Sequence, residues 1–397
     1  MTMPSNRFVV ASLLAAAVCT GAEAPKPGGA SPSAVGLDAT VLQSLDARIA
    51  NGEFNNIDHL LIMRCGERVF ERAYPHDYQM IYGTQARTPG PLNAHGSGMY
   101  DYFDAQWHPY IHGSDLHTLQ SATKSMTSVV YGVAITRGNF KAGLDTPVLH
   151  YFDESRVRNV DDRKRRMTLR DLLTMSSGLD WREDLPYDDP ANSAIAMEAA
   201  EDWVQYVIDR PMLHDPGTVF AYSSGASELL ADIFLKETGQ DIERYAEAHL
   251  FAPLGITHHY WKRTPKGMVD TEGGLYLSAS DLAKIGELFL HDGKWRGRTI
   301  IDPGWIKDSV TPRFDGAGIE AAVNWKYGYQ WWLRLHEGST RLDFAARGFG
   351  GQLLFVSPQS DIVMVVNGWN ILGGLPAERT AIEQVLGAVR SQKCAPI

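Results

Sequence analysis

Strand signals stand near both ends of this 397-residue chain, and the long middle reads as helix. That distribution constrains the fold more than any single motif, because two groups of strands so far apart suggest one lobe interrupted by another. Near the N-terminus, Leu60 to Phe70 reads as a hairpin turning at Cys65-Gly66. Near the C-terminus, Gln330 to Leu335, Leu353 to Val356 and Ile362 to Val366 read as strands, the last two as an antiparallel pair across a Ser357-Pro358 turn. The expectation is a split α/β lobe made by residues 36–118 and 262–397, enclosing a helical lobe at 119–261.

Within that frame, Leu37, Val41, Leu42, Leu45 and Ile49 share one helical face. Thr168 to Gly178 reads as a short capped helix with a glycine stop, and Leu229 to Phe234 as a helix running to Gly239. Ser280 is placed to cap the segment Leu282 to Leu290. Tyr74 to Asp115 has no steady period and reads as a long loop, with His108, His112 and His117 taken as surface or loop packing residues. Two histidines four apart without a helical frame make a poor metal pattern.

Ser121 and Lys124, three apart at the start of a helix, lie on neighbouring positions of one face. An amine there reaches the hydroxyl, and the helix N-terminus supplies free amide donors where negative charge develops in acyl transfer. Met126, Val129, Val130, Val133 and Ala134 follow at helical spacing, so the helix belongs in the core, and burial is expected to lower the Lys124 pKa. A serine N-cap followed by a solvated lysine reads equally well from these two residues alone. Ordinary usage yields about one Ser-x-x-Lys by chance in a chain this long. Tyr222 lies between the Asp215-Pro216-Gly217 turn and the next helix, at a junction where a phenol can reach a cleft and a nearby ammonium favours its anion; taken alone, it reads more readily as a packed tyrosine with its hydroxyl satisfied.

A formal charge of -10 and pI near 5.7 argue against nucleic acid or an anionic membrane surface as the main partner. Residues 1–24 resemble a signal peptide, with Arg7, the apolar run Phe8 to Val18, and cleavage after Ala24 or Ala22. Residues 25–35 have linker composition, which leaves 36–397 as a single domain. That run is short for a bilayer span, so no transmembrane segment is expected in the mature chain, which would be secreted or periplasmic. Export would expose Cys65 and Cys394 to oxidising conditions, where they either pair or remain unrelated thiols.

Three ordered motifs then carry a resemblance: Ser121-Ala-Thr-Lys124, Pro216-Gly217-Thr218-x-Phe220-x-Tyr222-Ser223-Ser224, and Ala346-Arg347-Gly348-Phe349-Gly350-Gly351. They resemble the serine β-lactamase and penicillin-binding protein superfamily, most of all its class C-related esterases and 6-aminohexanoate-dimer (nylon oligomer) hydrolases. The connecting segments LLTMSSGLDW, LFAPLGI and GGLYLSASDLAKIGELFL are similar too. The resemblance implies a β-lactamase/transpeptidase-like α/β (α+β) fold, with a mixed, mainly antiparallel sheet flanked by helices beside an all-helical lobe. It implies Ser121 as nucleophile, Lys124 as its base, Tyr222 as proton shuttle, and the Ser121 and Phe349 amides as oxyanion donors, with no metal or cofactor. Trp181 and Tyr187 match an aromatic region lining the cleft, and Ser224, Arg347 and Gly348 are further substrate-binding candidates.

Two departures bear on the substrate. Ser224 stands where many members have Asn, and Ala346 where they have Lys or His. The cation that would face a substrate carboxylate is missing, and neighbouring strand residues point to opposite faces, so Arg347 need not replace it. The expected substrate is a small-molecule amide or ester. The alternatives are a weak β-lactamase or D-Ala-D-Ala-type peptidase, or a penicillin-recognising binding or sensor protein.

Overall fold

The computed structural model describes residues 29–315, 325–372 and 378–391. Its centre is an eight-stranded sheet whose neighbours all pair antiparallel, in the order Glu67–Ala73, Ile57–Arg64, Ile362–Gly368, Gln352–Ser357, Asp343–Gly348, Trp332–Arg334, Lys326–Tyr327, Phe314–Asp315. Among the described residues, the first hairpin therefore sits beside the last strand, with Leu60 opposite Val366 and Ile62 opposite Met364. Every residue of Gln352–Ser357 and Ile362–Gly368 is buried, which requires cover on both faces. Helix Ala279–Leu290 packs on these two strands, and helix Ala122–Thr136 packs on Asp343–Gly348 and Gln352–Ser357.

The middle of the chain is helical, with Ala122–Thr136 and Ser224–Thr238 the longest members. Residues 122–134 are buried without interruption, so this helix shows no solvated side until its last turn. Gln330 fastens it to its surroundings. Its carbonyl accepts from Ser125 Oγ at 2.5 Å, its side chain pairs with Ser227 Oγ at 2.9 Å, and its amide donates to Leu173 O at 3.0 Å. A small sheet of His117–Thr118, Leu275–Leu277 and Tyr260–Trp261 lies just ahead of Ser121 and brings the 270–274 loop against it.

Several expectations are corrected. Ser278, rather than Ser280, caps the Ala279–Leu290 helix, because its side chain accepts from the Asp281 amide at 3.1 Å. The predicted strand from Gln330 shortens to Trp332–Arg334, since Gln330 has φ of 64° in the left-handed region. Of the two readings of His108 and His117, surface or loop packing, the second holds, since both are buried. His108 joins Tyr102 and Trp369 in a cluster of near-parallel rings, 5.5 and 4.9 Å from them, and His117 Nε2 lies 3.2 Å from Asp58.

The expected signal segment lies outside the described residues, and among the described residues no helix is long and apolar enough to cross a membrane. Cys65 is disulfide-bonded. Cys394 lies outside the described residues, so the pairing of these two remains a proposal.

Candidate active site

Leu119 donates its amide to Leu275 O at 2.9 Å, Gln120 turns through φ of 46°, and Ser121 heads the buried helix. A non-glycine residue in that backbone region is uncommon and persists where its surroundings hold it. The Ser121 side chain makes no capping hydrogen bond. Lys124 is 1% exposed and donates to Ser121 Oγ at 2.9 Å, to Glu272 O at 2.7 Å and to Glu272 Oε2 at 3.3 Å. Neither half of the capped-helix reading holds, because the serine does not cap and the lysine is not solvated.

Three acceptors match the three hydrogens of an ammonium. Burial alone lowers the Lys124 pKa, as expected from its position in the core, but Tyr222, Glu272 and Glu183 together outweigh it and raise the pKa above its ordinary value. The expected depression is thus overturned in the resting site. Sequence spacing reveals the burial but not the carboxylates.

Tyr222 hydrogen-bonds Ser121, and its ring centroid lies 5.3 Å from Lys124 Nζ. Burial raises its pKa against the pull of Lys124. The ring stacks on Trp332 at 5.6 Å and meets the edge of Tyr327 at 6.3 Å. Three of the expected residues, Ser121, Lys124 and Tyr222, are therefore brought together.

Gly348 ends its strand against the start of the same helix. A Cβ there would lie 2.2 Å from Leu119 O, so the backbone that it lets approach is the chain's own. Phe349 follows directly, its ring 4.9 Å from Tyr187 and 6.1 Å from Tyr102. Arg347 is held by Glu378, with Nε to Oε1 at 2.8 Å, and lies over Trp325 and Trp332.

Two carboxylates escaped the sequence reading. Glu183 accepts four hydrogen bonds at 2.7 Å, from Trp181 Nε1, Tyr187 OH, Ser224 N and Ser224 Oγ. It joins both candidate aromatics to the second motif, and its charge at the N-terminus of Ser224–Thr238 suits the helix dipole. Trp181 also packs against Gly225, where a Cβ would lie 2.8 Å from the indole. Trp181, Glu183 and Tyr222 share a 240 Å³ cavity with Leu213 and Val219. The other missed residue is Glu272, the double acceptor of Lys124. Nothing in the local pattern marks Glu183 beyond its place between Trp181 and Tyr187, and only the Gly273-Gly274 pair flags the loop carrying Glu272.

Among the described residues, Glu243, Glu247 and His259 place possible metal-ligand atoms within 4.8 Å of one another. Arg263 pairs with the Glu243 carboxylate, so an ion-pair cluster accounts for the grouping.

The sequence profile of the Beta-lactamase family matches residues 59–386. A 6-aminohexanoate-dimer hydrolase of Paenarthrobacter ureafaciens is 27% identical over 284 residues, covering 67% of this chain and 68% of that protein. Among solved structures, a penicillin-binding protein homologue from Caulobacter crescentus aligns with TM-score 0.62 at 17% identity, over 90% of this chain and 97% of its own. A family VIII carboxylesterase aligns with TM-score 0.61 at 16% identity, over 88% and 96% respectively. At these identities the structural likeness speaks to fold.

Proposed function

The chain belongs to the Beta-lactamase family, and from that premise we propose that it is a serine hydrolase opening small-molecule amide or ester bonds through an acyl-enzyme on Ser121. The observation that carries this reading is the contact of Lys124 Nζ with Ser121 Oγ at 2.9 Å beside Tyr222, with the lysine buried and the serine and tyrosine half-buried. Ser121 attacks the carbonyl, the Ser121 and Phe349 amides receive the oxyanion, and Tyr222 protonates the leaving group. Water then opens the ester through the same groups.

The substrate class follows from the third motif. Ala346 is buried and uncharged, and Arg347 is engaged by Glu378, which favours a carbonyl without an obligatory carboxylate neighbour. The relative named for hydrolysis of 6-aminohexanoate dimer supports a linear amide, and the esterase neighbour an ester. Export through the N-terminal segment belongs to the same proposal.

Turnover of a p-nitrophenyl ester, a linear amino-acid amide dimer, nitrocefin and a D-Ala-D-Ala peptide, each followed with intact mass, tests it. The ester and linear amide should turn over with an adduct that disappears in Ser121→Ala. Preferred turnover of nitrocefin or the D-peptide would replace the substrate assignment. An absence of turnover and adduct with every serine-reactive probe would replace the enzyme with a binding protein.

A further inference from the structure

A base that is already protonated cannot take the serine proton. Lys124 in the resting site has each of its three hydrogens directed at an acceptor, so no lone pair is available to Ser121. The site needs somewhere to put one proton before Ser121 can lose its own. Glu272 is the only carboxylate in direct contact with Lys124 among the described residues, with Oε2 3.3 Å from Nζ.

Its surroundings hold it there. The Glu272 amide donates to Glu228 Oε1 at 3.0 Å and Asp270 Oδ1 at 3.1 Å, which fixes the backbone, while the Glu272 carbonyl accepts from Lys124. Glu198 reaches the Glu272 carboxylate from the Ser193–Glu198 helix and accepts from Tyr102 OH at 2.8 Å. Lys262 lies behind, over Tyr100 at 4.9 Å and beside Asp270. Glu183 and Tyr222 face Lys124 from the remaining side. Lys124 pairs with Glu272, and Lys262 is one more cation near Asp270, Glu198 and Glu272, so two cations face four buried carboxylates, of which burial pushes Glu198 and Glu228 furthest towards the neutral acid.

We propose that Glu272 is the proton store of the acylation step: it takes a proton from Lys124 so that Lys124 can accept the Ser121 proton. This rests on the acyl-enzyme reading of Ser121. The Lys124 N–H bond breaks as the Glu272 O–H forms, the freed lone pair accepts the Ser121 proton, and Ser121 Oγ bonds to the carbonyl carbon. Tyr222 then gives its proton to the departing group and regains one from Lys124. Glu272 returns its proton to Lys124, so the net change is transfer of the serine proton to the leaving group. Glu272 touches no reacting atom and is a positioning residue acting through Lys124. Burial opposes its ionisation, but Lys124 and hydrogen bonds hold its pKa below the ordinary value, so the ion pair is the resting form and the neutral pair is reached only transiently, on the way to acylation.

The consequence is specific to pH. Ammonium with carboxylate and amine with carboxylic acid contain the same number of protons, so interconverting them consumes none from solvent. Wild-type acylation should be level from about pH 7 to 9. With Glu272→Gln, Lys124 must lose its proton to solvent, and acylation should climb about 10-fold per pH unit until the lysine has titrated.

The experiment is the pre-steady-state burst of p-nitrophenol from p-nitrophenyl acetate, read where phenol and phenolate absorb equally, from pH 6.5 to 9. Intact mass of wild type and Ser121→Ala runs alongside, with a thermal melt of every variant. A level wild-type profile and a variant deficit that narrows as pH rises support the proposal. A variant deficit constant at every pH overturns it, since a packing defect behaves that way. A tenfold-per-unit rise in wild type also overturns it, and that arm stands even if the variant does not fold. Acetylation persisting in Ser121→Ala would instead overturn the acyl-enzyme reading itself.

Discussion

Single side chains in this site act mainly through what they hold. Glu183 is 6% exposed and receives two donors that cannot reverse, the Trp181 indole N–H and the Ser224 amide, together with two hydroxyls that can. Glu183→Gln leaves a carbonyl for the first pair and presents an NH2 to the hydroxyls, which rotate to accept it. Glu183→Ala leaves both fixed donors buried and unpaired, at about 1–3 kcal/mol each. Urea unfolding should therefore show Gln costing about 1–2 kcal/mol and Ala about 3 kcal/mol or more. Equal losses would mean that the four hydrogen bonds contribute little. Such a residue is hard to find from sequence, because its partners at Ser224 lie 41 positions away. Lys124 and Glu272 are 148 apart, which is why burial of the lysine is legible in the helix pattern and its charged partner is not.

Elements were more legible than contacts, wherever the pattern was local. The helical spacing of Met126, Val129, Val130, Val133 and Ala134, the Cys65-Gly66 turn and the Gly239 helix stop each act over a few residues, and the structure has them in those positions. The aromatic packing of Tyr102, His108, Trp369 and Phe349 has no period to read, being assembled from a loop and two strand ends. The approach of strand Asp343–Gly348 to Leu119 is the element-level contact on which the site depends. Gly348→Ala would put a methyl 2.2 Å from a backbone carbonyl, which no rotamer relieves. Overpacking of this kind costs about 1–3 kcal/mol, and the strand end should withdraw from Ser121 along with the Phe349 amide. The expected outcome is a lower urea midpoint with kcat/KM reduced well beyond what the unfolded fraction explains. A stable variant of normal activity would separate this strand from the oxyanion site.

For the whole molecule, the buried charges behind Ser121 govern how stability responds to pH. Burial first, then neighbouring negative charge, pushes Glu198 and Glu228 well above the ordinary range, and Asp270 up to about 6. An acid raised in the folded state must bind a proton to fold once pH exceeds its unfolded value, so stability falls as pH climbs towards the folded pKa. Glu272, held low, has the opposite sign: its contribution is present above its unfolded pKa and lost as pH falls through the folded value. His108, kept neutral by burial, opposes the trend only while an unfolded histidine would be protonated, below about pH 6.5. Exposed pairs such as Asp38 with Arg390 are screened by solvent and add little. Lys164, which burial lowers to about 8, and Lys262, lowered likewise, oppose the trend once pH exceeds their folded values, so the drop expected in the thermal midpoint from pH 6.5 is carried by the raised acids and becomes shallower towards pH 8.5. Glu228→Gln isolates one of them. Its Oε1 accepts from the Thr271 and Glu272 amides at 2.8 and 3.0 Å, while Oε2 has no hydrogen-bond partner among the described residues. A glutamine carbonyl keeps both bonds and its neutral amide requires no proton. Scanning calorimetry should find the variant gaining on wild type as pH rises across that window, by about 1 kcal/mol or more at pH 8.5. A difference that stays constant from pH 6.5 to 8.5 would mean that Glu228 binds no proton on folding, and the neutral member of the cluster would have to be sought at Glu198.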